Sequence, residues 1–167
     1  MKKTLILFAL AAVLLASASL PGLAQGAARA RDILPAEGLV ASSVSAIRDQ
    51  AALNAHYYLA DEAVLGLGRK TDAVLARYRA KAGDMLVLVV AYPSPGEAKQ
   101  VYERFGRDFF SEAFDPGSPR IVEAIETGDW AGAARKGPFL IVVLEAPDRM
   151  GCDSLLRRVE EKAPAAK

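Results

Sequence analysis

Two nearly unbroken apolar runs, Met85–Tyr92 and Phe139–Ala146, dominate the second half of the chain. Both are too short for ordinary helices and are bounded by turn residues, so they predict strands buried on both faces. Upstream, Val74, Ala76, Tyr78 and Ala80 alternate with Leu75, Arg77, Arg79 and Lys81, a period of two that predicts a strand with one solvated face, and Gly83-Asp84 turns the chain into the first apolar run. Ile121–Glu126 and Trp130–Arg135 read as further strands, separated by the turns Thr127-Gly128-Asp129 and Lys136-Gly137-Pro138. Helical spacing appears in three places. Leu53, Tyr57, Ala60 and Val64 share a face, with Asp49 as N-cap, and predict a helix to about Leu65 that Gly66 and Gly68 end. Ala98, Val101, Tyr102, Phe105 and Phe109 form a stripe behind Ser94, a cap with Pro95 and Glu97 at the first and third helical positions. Cys152, Leu155, Leu156 and Val159 form another behind Asp148.

The start of the chain follows a different pattern. Lys2 and Lys3 precede an apolar run from Leu5 to Ala16, then small residues lead to Gly22-Leu23-Ala24. A basic head, a short apolar middle and small residues three and one before a cut form a general secretory signal peptide; the run falls short of the roughly 20 residues that span a membrane. Cleavage is expected near Ala24, with Ala16-Ser17-Ala18 as a competing site. This predicts a secreted or periplasmic protein with no stable membrane anchor after processing. Losing Lys2 and Lys3, with no acid in that segment, takes the net charge from +1 to −1. A near-neutral chain gives nucleic acid no electrostatic footing. Cys152 is the single cysteine, which rules out an internal disulfide. The mature part has about 140 residues, one domain that can bury roughly 68% of its unfolded surface. The expected division is signal peptide 1–24, flexible lead-in 25–48, one α+β domain 49–162 and a loose tail 163–167.

A shift of 54 residues lays Ala76–Phe105 on Trp130–Val159 with six identities: Ala80/Ala134, Gly83/Gly137, Leu86/Leu140, Val89/Val143, Pro93/Pro147 and Arg104/Arg158. Turn glycine meets turn glycine, apolar strand meets apolar strand, and cap Ser94 meets cap Asp148. Each half reads as a hairpin followed by a helix, a pseudo-repeat. The expected fold is therefore α+β: a mainly antiparallel sheet of about five strands, with helices packed on one face. Such a sheet leaves its second apolar face to be covered by Ile33–Ile47, by a second copy in a homodimer, or by an apolar ligand.

The order of elements, with His56–Gly68, Tyr92-Pro-Ser-Pro-Gly-Glu-Ala98, Trp130–Gly137 and Phe139–Pro147, resembles a family of exported bacterial proteins of unknown function. In that family an aromatic-acidic helix precedes a hairpin and a Ser-Pro-x-Glu-Ala helix. The resemblance covers roughly Ile33 to Glu160. It implies fold and compartment, and brings no activity with it.

Candidate chemistry is concentrated in one stretch. His56, the only histidine, lies with Tyr57, Tyr58, Asp61 and Glu62, an imidazole, two phenols and two carboxylates. His56 stands five and six residues from the acids, whereas metal ligands on one helix face want three or four, so no metal site and no cofactor is expected. Cys152 lies on the packed stripe and reads as core. Gly66-Leu-Gly-Arg-Lys-Thr71 lacks the glycine before lysine and the strand-then-helix order of a phosphate loop. Arg77, Arg79 and Lys81 read as a solvated strand face. The leading expectation is a non-catalytic binding or scaffold module meeting a protein or small molecule through His56, Tyr58, Asp61 and Glu62. The alternatives are a small hydrolase using His56 with Asp61 or Glu62, and a carrier of an apolar small molecule between sheet and helices.

Overall fold

The computed structural model describes residues 29–59, 63–110 and 114–164. Among these, six strands form one antiparallel sheet in the order β1-β2-β3-β6-β5-β4. The strands are β1 (Ser45–Ile47), β2 (Asp72–Arg79), β3 (Asp84–Ala91), β4 (Arg120–Ala124), β5 (Trp130–Lys136) and β6 (Phe139–Ala146). Three helices accompany them: α1 (Gln50–Asn54), α2 (Pro95–Phe109) and α3 (Arg149–Lys162). The class is α+β, and the two apolar runs lie side by side at the centre as β3 and β6. The sixth strand is β1, from the segment expected to be a flexible lead-in.

That lead-in is stitched to the sheet from Arg29 onward. Ala30 N–H donates to the Asp72 carboxylate at 2.7 Å, Tyr78 Oη to the Pro35 carbonyl at 2.8 Å, and Arg79 N–H to the Gly38 carbonyl at 2.7 Å. Gly38 holds φ of 77°, and a Cβ there would stand 2.9 Å from the Arg79 carbonyl oxygen, so glycine alone suits this crossing. Ala30 and Ile33 are buried against β2 and β3. An apolar anchor with backbone partners fixes the described part of this lead-in, from Arg29 onward. At the other end the same holds for Ala163, which is buried and hydrogen-bonded to the last turn of α3.

The helices do not share a face. Val101, Tyr102 and Phe105 of α2 pack on Leu86, Leu88, Leu140 and Val142, together with Leu53 and Leu65. Cys152, Leu155, Leu156 and Val159 of α3 pack on the alternate residues Val87, Val89, Ile141 and Val143, beside Ile33. The expectation of helices on one face is thereby corrected to a helical layer on each side. The cause is local. β3 and β6 pair antiparallel around Leu88↔Val142. At the far end of β6 a bulge intervenes: Val87 faces Val143 and Leu86 faces Glu145, and on the other side Gly132 faces Val143 and Trp130 faces Ala146. One extra residue reverses the alternation of side chains. Ala146 consequently packs on the α3 face, whereas Tyr92, which the 54-residue shift sets opposite it, packs on the α2 face. The chain then leaves β6 on the side opposite to α2.

With α3, Ile33, Leu34, Leu39 and Val44 on the second face, that face is covered from within the chain. Of the three covers weighed for that face, the segment Ile33–Ile47 supplies one, together with α3.

Candidate functional site

The stretch expected to hold the site does not form the long helix that its spacing predicted. Asp49 caps α1 as expected, its carboxylate accepting from Ala52 N–H at 2.8 Å, but the helix ends at Asn54. The Asn54 amide oxygen accepts from Gln50 Nε2 at 2.9 Å and from Leu59 N–H at 3.4 Å, a local alternative to continued helical bonding. Residues 57–59 run without helical structure. The phase of the side chains is thus set by the sheet beneath them. Tyr57 turns inward against the core of the α2 face, with its Oη 3.5 Å from the Leu144 carbonyl. His56 is exposed, and Tyr58 is 64% exposed. Asp61 and Glu62 lie outside the described residues, so of the four candidate residues the structure describes His56 and Tyr58.

What the structure assembles at this place centres on Tyr57. A groove of about 490 Å³ is lined by Tyr57, Phe109, Phe110, Ala124, Ile125 and Thr127, with the carboxylates of Glu123 and Glu126. The aromatic wall is a packed cluster: Phe105 stacks on Phe109 at 4.9 Å between centroids, and Phe110 meets Phe109 edge-on at 5.1 Å. The opposite wall is the end of β4 and the turn into β5, where Ile125 N–H donates to the Asp129 carbonyl at 2.9 Å. Burial raises the Tyr57 phenol above its ordinary value, and the nearby Glu145 and Asp129 carboxylates raise it further. Tyr57 therefore stays a neutral hydroxyl donor across the physiological range. Neither His56 nor Tyr58 lines the groove. Phe109 was legible only as a packing residue, and Glu123 and Glu126 only as solvated acids near a turn. The doublet Phe109-Phe110, one ring beyond the expected stripe, was the available signal, but its partner Tyr57 stands more than fifty residues away in sequence.

Other reactive groups have structural employment. Cys152 is buried, and burial, assisted by Asp153 and Asp148, pushes its thiol up to about 12. Desolvation outweighs the helix N-terminus, whose field would lower it. Arg79 pairs with Asp84 at 3.6 Å across the hairpin, in keeping with a solvated strand end. The Gly66–Thr71 segment is a loop closed by Thr71 Oγ1, which donates to the Gly68 carbonyl at 3.0 Å and accepts from Gly68 N–H. Among the described residues, no three His, Cys, Asp or Glu side chains gather as a metal site, and no helix is long and apolar enough to cross a membrane.

The fold and groove define a class, an α+β domain with helices on both sides of a six-stranded antiparallel sheet. No family model, no curated protein and no solved structure matches the chain.

Proposed function

We propose that this chain is an exported, non-catalytic binding module that meets its partner at the groove beside Tyr57. The observation that carries the reading is the groove itself: a preformed aromatic wall facing carboxylates at the end of the sheet. Rings with a polar tip suit a surface that is partly apolar and partly wet. The export half of the proposal rests on Met1–Ala24, and the resemblance to exported proteins of unknown function agrees with it. The hydrolase reading needs His56 to work with Asp61 or Glu62; His56 stands exposed and outside the groove, which favours binding over catalysis as the use of this region.

A photo-crosslinking side chain placed at Glu126, and separately at Lys81 as a control, tests the binding half in the cell that makes the protein. The expected result is a discrete adduct at position 126 and none at 81. Turnover of ester or glycoside substrates that is lost in His56→Ala would overturn the reading in favour of a hydrolase. The export half is read by intact mass: the mature form should lack residues 1–24.

A further inference from the structure

The sheet ends on β4, and the pairing of β4 with β5 decides which of its backbone groups are free. Arg135 N–H donates to the Pro119 carbonyl and Ile125 N–H to the Asp129 carbonyl, both at 2.9 Å. In an antiparallel pair hydrogen-bonded positions alternate, so residues 119, 121, 123 and 125 point their amide groups inward, and 120, 122 and 124 point theirs outward. The Arg120 amide and carbonyl are both occupied by Ser118 Oγ, at 3.4 and 2.7 Å. The N–H and C=O groups of Val122 and Ala124 have no hydrogen-bond partner among the described residues. Among the described residues this is an open edge two bonded positions long.

The two flanks of that edge differ in charge. On the α2 side lies the groove of Tyr57, Phe109 and Phe110, whose charged lining residues, among the described ones, are Glu123 and Glu126. On the α3 side lies a second groove of about 590 Å³, lined by Arg120, Arg149, Arg157, Asp153 and the 80% exposed Met150, with three cations to one anion. Arg120 is committed to Asp153 and Glu160, and Arg157 shares Asp153 at 2.9 Å. Arg149 lies over the Trp130 ring at 5.7 Å and has no carboxylate partner among the described residues.

We infer that β4 is a docking edge for an extended peptide segment of another protein, one whose alternate side chains are basic toward the α2 side and acidic toward the α3 side. A strand added to β4 projects successive side chains to opposite faces, so one face of the segment meets the acids and rings and the other the arginines. A long basic side chain suits the first groove twice over, its stem lying on the rings and its charge meeting Glu126. A second copy is the poorer occupant. Antiparallel pairing of two β4 edges keeps each face beside its own kind, setting Glu123 and Glu126 near those of the other copy and arginines near arginines. This inference rests on the binding-module reading and names the partner's chemistry.

The test uses two labelled, end-capped eight-residue peptides of one composition, Lys and Glu in strict alternation or in two blocks, titrated into the mature protein by fluorescence anisotropy at low salt. The alternating peptide should bind, and the block peptide should bind about tenfold more weakly or worse, since it cannot separate its charges onto two faces. Val122→Pro removes an outward N–H and leaves the β4–β5 bonds in place, a substitution an edge strand tolerates. It should weaken the alternating peptide about tenfold, and Ala124→Pro is the second variant should the first not fold. Equal binding of both peptides, no binding of the alternating one, or unchanged binding to a folded proline variant overturns the inference. A dimer seen in sedimentation that Val122→Pro dissolves overturns it too, in favour of a second copy. A cross-link at position 126 with no peptide effect leaves the binding-module reading standing and removes this one.

Discussion

At the scale of single residues, close approach matters more than charge. Gly132 sits on β5 beneath α3, where a Cβ would stand 2.8 Å from Leu156 Cδ1, 2.9 Å from the Ile121 carbonyl oxygen and 3.1 Å from Cys152 Sγ. The backbone oxygen cannot retreat as a side chain could. Gly132→Ala should therefore destabilise the protein by ~1–3 kcal/mol in urea unfolding, the usual cost of overpacking, and Gly68→Ala, whose Cβ meets nothing within 4 Å, should lack this clash. Cys152 is the neighbour of this contact. It should resist a thiol reagent at neutral pH in the folded protein, and Cys152→Ala should cost about 1 kcal/mol. Rapid labelling without unfolding would show that α3 opens. Gly106 plays a like part on the other face, where the Phe114 ring lies so close that a Cβ has no room.

At the scale of elements, caps and a bulge place the helices. Ser94 Oγ accepts from Glu97 N–H at 3.2 Å and the Asp148 carboxylate from Gly151 N–H at 2.7 Å, so both long helices begin where their sequences say. Asp148→Ala should cost ~0.5–2 kcal/mol, and Asp148→Asn much less, since asparagine caps nearly as well. Leu156, fully buried in the α3 layer, should cost ~2–5 kcal/mol on truncation to Ala. These two measurements separate the start of α3 from its packing. The caps were legible because they are local: a short polar side chain and an amide three residues on. The face taken by α3 was not, because it depends on one extra residue in β6 opposite both β3 and β5. Nothing within Phe139–Ala146 marks the bulge, since its residues are apolar in either phase, with Glu145 the lone exception. The failure of α1 to continue past Asn54 has a related cause. Leu53, Tyr57, Ala60 and Val64 keep helical spacing, but a sheet surface can bury Tyr57 equally well from an extended segment, and periodicity does not distinguish the two.

At the scale of the whole molecule, the core is two apolar layers on either side of one sheet, and several titratable groups are buried in it with their protons on. Burial pushes Tyr78 and Tyr102 to about 12, lifts Tyr92 further, and takes Cys152 from 9.0 to about 12. The folded values lie above the unfolded ones, so above about pH 9 the unfolded chain releases protons that the folded chain retains. Stability from these groups is complete below the unfolded values and falls as pH rises toward the folded ones. Urea midpoints should thus show no loss from these groups between pH 7 and 8.5 and decline between pH 9 and 12, and Cys152→Ala should remove the earliest part of that decline. A midpoint that rises across this range would contradict the burial of the phenols. The second apolar face is covered by α3 and by Ile33, Leu34, Leu39 and Val44, from the segment that the sequence offered as one of three possible covers.

The sequence by itself determined the class, the strand pairs on either side of Gly83 and Gly137, the cap residues and the apolar stripes of α2 and α3, because each depends on neighbours a few residues apart. It also supplied the reading of Met1–Ala24 as an export signal. Tertiary structure decided what long-range packing controls: the central place of β3 beside β6, the return of Ile33 onto the second face, the reversal at the bulge, and the groove where Tyr57 meets Phe109, Phe110 and the end of β4. The candidate site shifted for the same reason. Chemical density along the chain pointed to His56, Tyr58, Asp61 and Glu62, but a groove needs walls, and its walls come from α2 and β4, whose aromatic and acidic residues have no periodic relation to Tyr57.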